Sequence, residues 1–232
     1  MAIRPYSQIM IFSIEQVFSP DELAEIRQVL DKAEFVDGKL TAGWHAKLVK
    51  NNQQLKVGTS QKELQAKVRA TLLKNPLFQA AIRPKSIHSL LFSRYDVGMS
   101  YDTHVDNALM GGSSGLYRSD ISFTLFLSSP QDYEGGELVI EGVQSEQEYK
   151  LEGGSAIVYP STTLHRVNPV TEGTRLVVVG WVQSTVRDAS DREILFDLET
   201  ARRAIFARSG KTAEFDLISK SMANLLRKWA DL

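Results

Sequence analysis

Short β-branched and aromatic runs alternate with Gly, Pro and Asn through the central part of the chain, residues 86–184. Runs of this kind, separated by turn residues at short intervals, predict an all-β sandwich or barrel. The region shows no alternation of strands with helices and no glycine-rich phosphate loop, so a doubly wound α/β fold is not expected. The runs predicted to be strands are SIHSLLFSRY, SDISFTLFLS, GELVIE, QEYKL, GSAIVYP and TRLVVVGWVQS.

Helical periodicity marks the N-terminal part of the chain, after a first strand rich in Ile and Phe. The stretch FSPDEL predicts a helix start, because Ser19 and Glu22 can form a capping box around a proline at the first helical position. A second helix is expected over residues 60–74, with Ser60 and Glu63 as its capping box and an Asn-Pro pair as its end.

Two further helices are predicted in the C-terminal part of the chain. Ser190 and Glu193 are expected to cap the first of them, and Gly210 to end it. Apolar residues recur at helical spacing in both segments, so we expect a hairpin that packs on itself and on the β core. A partner-binding role for these apolar faces is the alternative.

The complete pattern predicts a mainly β chain with flanking helices, of the α+β class, in three parts. Residues 1–85 would form a strand and helices that support the core. Residues 86–184 would form the β core itself, and residues 185–232 a C-terminal helical domain.

Composition narrows the classes of function. Lys and Arg number 27 against 28 Asp and Glu, and the net charge of −1 argues against a general nucleic-acid-binding protein. The absence of cysteine excludes disulfides, thiolate nucleophiles and cysteine-ligated metal sites, and it fits a reducing compartment. No stretch has the character of a signal peptide or a membrane span, so we expect a soluble, cytoplasmic protein without a membrane partner.

The segment SYDTHVDNA places His104 and Asp106 two positions apart, where side chains on a strand face the same side. A third ligand candidate is His165, which lies between two predicted strands. Two histidines and one carboxylate occupy one face of an octahedron and leave three positions open, as in non-haem Fe(II) oxygenases. Zinc sites without cysteine use similar ligands, so the residue types alone do not decide the metal.

Arg175 opens the apolar run LVVVGWV, ten residues after His165. A buried arginine is costly unless it pairs with an anion, and its guanidinium can bind a carboxylate through two parallel hydrogen bonds. Beside the candidate metal ligands we interpret Arg175 as a clamp for a co-substrate. A solvent-exposed strand end is the alternative.

These residues stand within a longer set of motifs, RYDVGMSYDTHVDN, DISFTLFLSS, DYEGGELVI and LHRVNPVTEGTRLVVVGWV. On them, residues 86–184 resemble the Fe(II)/2-oxoglutarate-dependent dioxygenases of the prolyl 4-hydroxylase-like group, and most closely the bacterial PKHD-type hydroxylases. The resemblance implies a double-stranded β-helix, or jelly roll, with N-terminal helices and a C-terminal helical hairpin. It also implies Fe(II), 2-oxoglutarate as co-substrate, O2, and L-ascorbate (vitamin C) as a candidate reductant.

By resemblance, His104, Asp106 and His165 bind the iron, and Arg175 binds the distal carboxylate of 2-oxoglutarate. The implied reaction hydroxylates an unidentified peptide, amino acid or small molecule and releases succinate and CO2. An aspartate at position 106 favours hydroxylation, since halogenating relatives carry a small residue there.

Tyr95 and Tyr101 match family tyrosines and are expected to line the co-substrate pocket. The family often places a second hydroxyl near the distal carboxylate, but the matching position here is Phe126. Thr124 lies on the same face of that strand and is a candidate substitute. The identity of the second group therefore stays open.

Three other functions are weighed against this one. Nucleobase demethylases of the superfamily carry a second arginine at the position of Trp181, so that class is disfavoured. A cupin-like metal or ligand sensor without turnover would share the β fold but would not require Arg175. The third alternative is a structural module in which the helical tail binds a partner. The substrate and the oligomeric state are left undefined.

The segment NALMGGSSGLYRSD, residues 107–120, is predicted to be a mobile loop rooted at the metal, serving either as a lid or as a plain connector. Trp44 and His45 are candidates for substrate contact at the mouth of the site. His45 and His88 are not expected to be metal ligands and are interpreted as ordinary loop and strand histidines.

Overall fold

The computed structural model describes residues 11–44, 46–112, 115–142 and 145–231. Its described part is mainly antiparallel β-structure with five α-helices at the flanks. The helices are α1 (Pro20–Asp31), α2 (Thr59–Lys74), α3 (Pro76–Ile82), α4 (Ala189–Ser209) and α5 (Ala213–Trp229). Short 3-10 helices cover Gly38–Thr41, Ala46–Leu48 and Pro130–Asp132.

The strands fall into a first group that precedes the candidate metal ligands and a second group that carries or follows them. The first group is β1 (Phe12–Ile14), β2 (Phe35–Asp37), β3 (Lys50–Asn51), β4 (Gln53–Leu55) and β5 (Pro84–Tyr95). The second is β6 (Ser100–His104), β7 (Leu109–Gly112), β8 (Gly115–Arg118), β9 (Ile121–Phe126), β10 (Tyr133–Gly135), β11 (Leu138–Glu141), β12 (Glu146–Tyr149), β13 (Ala156–Pro160), β14 (His165–Val167), β15 (Val170–Gly173) and β16 (Arg175–Ser184).

Two large antiparallel sheets build the core of the protein. The major sheet has seven strands in the order β1-β13-β9-β16-β5-β4-β2, and the minor sheet has five in the order β12-β11-β14-β6-β3. Neighbours in these sheets are distant in sequence, as the crossing connections of a jelly roll require. The predicted mainly β jelly roll with flanking helices is therefore confirmed.

Strands from the N-terminal part of the chain complete both sheets. β1 pairs with β13 and β4 pairs with β5 at opposite sides of the major sheet, while β3 pairs with β6 at one edge of the minor sheet. Residues before position 84 thus belong to the same sheets as the central motifs. The division of the chain at residues 85 and 184 stays a prediction.

Buried apolar side chains form two clusters, on the two faces of the major sheet. The larger cluster joins that sheet to α1, α2 and α3 through residues such as Ile26, Val68 and Phe78. The smaller one lies between the two sheets and contains Tyr95 and Phe126. Close packing on both faces holds the major sheet as a fixed wall.

Helix α1 begins as predicted, with Ser19 and Glu22 forming a reciprocal capping box. The prediction for α2 was wrong at its cap: the helix begins at Thr59, the N-cap is Gly58, and no side chain caps it. Ser60 therefore already lies inside the first turn. The Asn-Pro pair ends α2 as predicted. The side chain of Asn75 also caps α3, because it accepts hydrogen bonds from the first amides of that helix. The pair therefore marks the start of one helix as well as the end of another.

The C-terminal helices form the predicted hairpin. The cap of α4 was assigned wrongly, because Asp188 and not Ser190 is the N-cap, and its carboxylate accepts the Ser190 amide at 2.8 Å. Gly210 ends α4 with a φ of +70°, a conformation that favours glycine. Phe206 and Phe215 pack across the hairpin with ring centroids 5.3 Å apart.

The segment over residues 107–120 differs from the mobile loop that its glycines and serines predicted. Its described residues form a two-stranded hairpin, β7 with β8, in the register Leu109↔Arg118 to Gly112↔Gly115. Residues 113 and 114, at its tip, lie outside the described residues. Backbone pairing gives the segment order that its composition alone does not provide.

Among the described helices, none combines the length and the apolar character that crossing a bilayer requires.

Candidate active site

A cavity of about 430 Å³ opens between the two sheets. The major sheet contributes residues of β5, β9 and β16 to its walls, and the minor sheet contributes residues of β6 and β14. Each sequence-predicted site residue lines this cavity: His104, Asp106, His165, Arg175, Tyr95, Tyr101 and Thr124.

The three candidate metal ligands meet on the minor sheet. His104 is the last residue of β6 and His165 the first of β14, and the two are direct partners in the antiparallel register. Asp106 follows two residues after His104, just beyond the strand. One ligand atom from each residue lies within 4.8 Å of the others. The spacing suits a single small cation held by two imidazoles and a carboxylate.

Hydrogen bonds at the outer ring nitrogens fix how both imidazoles are used. Nδ1 of His104 lies 2.8 Å from the carbonyl oxygen of Asp102, and Nδ1 of His165 lies 3.0 Å from that of Thr163. A carbonyl oxygen only accepts, so each Nδ1 must donate its proton. Both Nε2 atoms are then left with a free lone pair, which is the form that binds a metal.

The carboxylate of Asp106 is oriented by two buried serines of the opposite sheet region. Ser122 donates from Oγ to Oδ2 of Asp106 at 2.5 Å, and the hydroxyls of Ser122 and Ser161 are 2.7 Å apart. Since Ser122 uses its proton on Asp106, Ser161 is the donor to Ser122. This chain of hydrogen bonds holds the carboxylate in place, with Oδ2 of Asp106 3.8 Å from Nε2 of His165.

Burial keeps the imidazole of His104 neutral at pH 7. Burial first, and then the neighbouring His165, lower the pKa of His104 to about 4. The Tyr101 ring stacks on His104 with centroids 3.7 Å apart, and Tyr159 meets His165 edge-on at 5.1 Å. Burial raises the pKa of both phenols, so they stay protonated hydrogen-bond donors. Tyr159 was not singled out from the sequence, although it lies in a strand whose alternate residues face the cavity.

Arg175 lies at the deep end of the cavity with only 1% of its surface exposed. Its Cζ is 5.0 Å from the ring centroid of Tyr95 and 5.6 Å from that of Phe126. Within the described part of the chain, Nε and Nη1 of Arg175 have no hydrogen-bond partner. The alternative of an exposed strand end is therefore wrong, and the arrangement is a buried cation open to an anionic ligand.

The glycine pair of YEGGEL shapes the space around Arg175. Gly135 and Gly136 have φ values of +68° and +65°, as their predicted turn requires. A Cβ at Gly136 would also lie 3.1 Å from Cδ of Arg175, tighter than side chains normally approach. The second glycine therefore permits the buried arginine as well as the turn.

Thr124 lies on β9, two residues from Phe126, and is buried. A hydrogen bond from Thr124 acts against the strong upward effect of burial on the pKa of Tyr159. Thr124 is therefore engaged with Tyr159. Its role as second partner of a co-substrate carboxylate stays a prediction.

A polar wall made of residues 50–54 was missed in the sequence. Lys50, Asn52 and Gln54 are all buried and line the cavity, although the stretch KNNQQL carries no apolar alternation that would have indicated burial. Their burial follows from pairing of β3 with β6 and of β4 with β5, which sequence patterns do not reveal.

Among the described residues, His88 is the one further histidine, and it lies outside the group of candidate metal ligands. His88 is buried on β5, where Nε2 lies 3.3 Å from the carbonyl oxygen of Arg118 and the ring stacks on Tyr117. His45 lies outside the described residues, and its neighbour Trp44 is exposed.

Comparison with known proteins supports the same chemistry. Residues 90–183 match the family model of the 2OG-Fe(II) oxygenase superfamily. A PKHD-type hydroxylase of Gloeothece citriformis is 70% identical over 96% of this chain and 100% of its own length. Another, of a Picosynechococcus species, is 64% identical with the same coverage of both chains.

The fold is also found among solved structures. A prolyl hydroxylase of Trichoplax adhaerens, in complex with a hypoxia inducible factor peptide fragment, superposes with a TM-score of 0.56. The two chains are 16% identical, and the match covers 79% of this chain and 86% of that one. At this identity the likeness extends to the fold alone.

Proposed function

We propose, because this chain belongs to the PKHD-type hydroxylases of the 2OG-Fe(II) oxygenase superfamily, that His104, Asp106 and His165 bind its Fe(II) and that Arg175 binds the distal carboxylate of 2-oxoglutarate. The protein is an Fe(II)- and 2-oxoglutarate-dependent dioxygenase, a hydroxylase that uses O2. Fe(II), when bound, activates O2 so that oxidation of 2-oxoglutarate to succinate and CO2 is coupled to hydroxylation of the substrate.

The residues around the metal ligands supply the geometry for this reaction. The two Nδ1 hydrogen bonds point both Nε2 lone pairs at one centre, and Ser122 turns the carboxylate of Asp106 toward the same point. An octahedral metal held by these three ligands would keep three positions for a chelating co-substrate and O2. The rings of Tyr101 and Tyr159 exclude water from the ligand side of the site.

The single observation that carries the co-substrate assignment is the state of Arg175. A guanidinium that is almost fully buried, with two nitrogens unpaired in the described structure, is costly unless an anion binds it. The distal carboxylate of 2-oxoglutarate offers two oxygens for the planar fork of the arginine.

Arg175→Met tests this assignment directly. The substitution keeps much of the side-chain volume and removes the charge, so 2-oxoglutarate binding should weaken by about 1.5–3 kcal/mol, the range of a hydrogen bond to a charged group. That corresponds to roughly a ten- to hundredfold higher Kd. The measurement is calorimetric titration of the Zn(II)-loaded protein under conditions without turnover.

Arg166→Met is the matched control, because Arg166 follows His165 on the same strand but pairs with Glu146 at the surface. Its affinity for 2-oxoglutarate should stay at the wild-type value. Wild-type affinity in Arg175→Met would assign the clamp to another residue. Release of succinate only in the presence of O2 would distinguish the enzyme from a sensor without turnover.

The finer assignments rest on composition and cavity size. A peptide, an amino acid or another small molecule fits a cavity of about 430 Å³, and the balanced charge does not favour nucleic acid. The lack of cysteine supports a cytoplasmic location. L-Ascorbate stays an expectation drawn from the resemblance.

A further inference from the structure

The charged side chains that line the cavity are few. Among the described residues they are Asp106, Arg175 and Lys50. Asp106 belongs to the proposed metal site and Arg175 to the proposed co-substrate site. Lys50 is therefore a cation in the cavity without an assigned task.

Lys50 is held in a position that is unfavourable for an unpaired charge. It is 5% exposed, and none of the ion pairs recorded for the described residues includes it. Its Nζ donates to Oγ1 of Thr41 at 3.2 Å and lies 5.3 Å from the ring centroid of Tyr101. Burial lowers the pKa of Lys50 to about 8, although the charge of Asp106 acts against this shift. At pH 7 the ammonium form of Lys50 therefore still predominates.

Two amide side chains stand beside this lysine with unused hydrogen-bonding atoms. Asn52 and Gln54 are 4% and 3% exposed. Nε2 of Gln54 lacks a partner among the described residues, whereas Oε1 of Gln54 accepts from Thr41 at 2.6 Å. The amide of Asn52 makes no well-formed hydrogen bond there, although it lies close enough to Tyr95 to lower the pKa of that phenol against the effect of burial. Buried donors left in this state cost stability unless a ligand satisfies them.

The three residues alternate along one continuous segment that joins the two sheets. β3 pairs with β6 of the minor sheet and β4 pairs with β5 of the major sheet, so Lys50, Asn52 and Gln54 cross one side of the cavity. Together they present one ammonium and two amide groups to the same space.

We propose that Lys50, Asn52 and Gln54 form a subsite for a carboxylate group of the substrate that this hydroxylase oxidises. The inference rests on the proposed function, because it takes Arg175 and the metal ligands as engaged by the co-substrate and iron. One buried positive charge with amide donors matches the single charge of a carboxylate. A phosphate dianion would draw more cations, arginine above all. The substrate class is thus an acid, such as a free amino acid or a peptide with a carboxylate near the oxidised carbon.

Acetate serves as the probe, because it carries the proposed group and nothing else. The Zn(II)-loaded protein is first saturated with 2-oxoglutarate, and acetate is then titrated while backbone amide resonances are followed by NMR. We expect shifts at residues 50–54 in the wild-type protein and at least a tenfold weaker response in Lys50→Met. Lys50→Arg, which keeps the charge, should retain binding.

Lys47→Met is the matched control, since Lys47 is an exposed lysine in the adjoining 3-10 helix. It should bind acetate as the wild-type protein does. Gln54→Leu, which keeps the lysine, provides an independent second test, and it should also weaken the acetate response.

Three results would overturn the subsite. They are the absence of shifts at residues 50–54 in the wild-type protein, an unchanged acetate affinity in Lys50→Met, and a loss of 2-oxoglutarate affinity in that variant, which would assign Lys50 to the co-substrate. Failure of the proposed function would be seen in a different measurement. The wild-type protein would then not bind 2-oxoglutarate, or Arg175→Met would bind it with wild-type affinity.

Discussion

At the scale of single residues, hydrogen bonds to neighbouring groups orient the side chains of the candidate metal ligands. The backbone carbonyls of Asp102 and Thr163 take the outer protons of the two imidazoles, and Ser122 takes one oxygen of Asp106. The Nε2 lone pairs of both imidazoles remain free, and Oδ2 of Asp106 lies 3.8 Å from Nε2 of His165. A cation bound there needs little reorganisation of its ligands, which favours affinity.

Removing an imidazole should remove the metal and leave the fold. His104→Ala and His165→Ala each delete one of three ligands, so we expect the loss of stoichiometric iron after anaerobic reconstitution, measured by a colorimetric iron assay. Circular dichroism should be unchanged. His88→Ala is the control, because that histidine is buried but bonded to the carbonyl of Arg118, and its iron content should match the wild type. Full iron content in both ligand variants would refute the assignment.

Lys50 should make the protein less stable than a neutral residue would, with a dependence on pH. Its pKa falls from 10.5 to about 8 on folding, so the unfolded chain binds more protons between these values and stability rises with pH in that window. Below pH 8 the penalty is fully present and amounts to at most about 3 kcal/mol. Lys50→Met should therefore raise the free energy of unfolding at pH 7 and lose this advantage by pH 10.5, as measured by urea denaturation. If the variant and the wild-type protein had equal free energies of unfolding at both pH values, Lys50 would not carry a buried charge.

At the scale of elements, the hairpin of β7 and β8 is anchored at its base. The amide of Ser119 donates to the carbonyl of Ala108 at 2.9 Å, and Arg118 binds Asp120 at 2.6 Å and Asp231 at 3.4 Å. Leu109 and Leu116 on the hairpin are exposed. The order of the hairpin therefore depends on its strand pairing and on the ion pairs at its base.

Arg118→Ala tests whether this anchor orders the hairpin. Without the guanidinium, amides over residues 109–112 and 115–118 should exchange hydrogen faster, while amides of β16 should keep their protection. Hydrogen exchange followed by mass spectrometry measures both regions at once. Arg187→Ala is the control, since Arg187 is exposed and reaches the same Asp231 only at 3.8 Å. Unchanged exchange in Arg118→Ala would place the order of the hairpin in its strand pairing alone.

The elements also show what the sequence could and could not reveal. Strands with β-branched runs, such as β9 and β16, were predicted because burial on both faces leaves a continuous apolar pattern. β3 and β4 were missed because their side chains are polar, and only pairing with distant strands buries them. The helix caps at Gly58 and Asp188 were missed because neighbouring serines offered equally good local signals.

The residues proposed for metal and co-substrate binding could be picked out from the sequence for a different reason. His104, Asp106 and His165 carry chemistry in their residue types, and Arg175 is conspicuous in an apolar run. The amide and lysine side chains of residues 50–54 are common on protein surfaces. Their burial depends on tertiary structure, so no local signal distinguished them.

At the scale of the whole molecule, the C-terminal hairpin is joined to the jelly roll and not merely appended to it. Leu195 of α4 is fully buried, and Phe196 packs against the larger core cluster. Arg192 donates to the carbonyls of Val186 and Arg187, both at 2.8 Å. Val186 also forms a bridge with Ala230, which brings the chain end back to the last strand.

Leu195→Ala should destabilise the whole protein in one transition. Truncating a fully buried leucine costs about 2–5 kcal/mol, and the contacts of α4 with the core should couple that loss to the sheets. Urea unfolding followed by fluorescence and circular dichroism should give coincident curves at a lower midpoint. Leu217→Ala, on the exposed side of α5, should change stability by less than about 0.5 kcal/mol. Two separate transitions in Leu195→Ala would show that residues 185–232 unfold independently.

The register between β3 and β6 has a consequence for which carbon is oxidised. Lys50 is the direct partner of Tyr101, and the Tyr101 ring lies on His104, so backbone pairing fixes the span from the Lys50 ammonium to the metal ligands. Under the carboxylate assignment, that span works as a ruler. The site would then count a fixed length from the acid group of its substrate to the C–H bond it attacks, and homologous acids that differ by one methylene would be hydroxylated at the same carbon counted from the carboxylate.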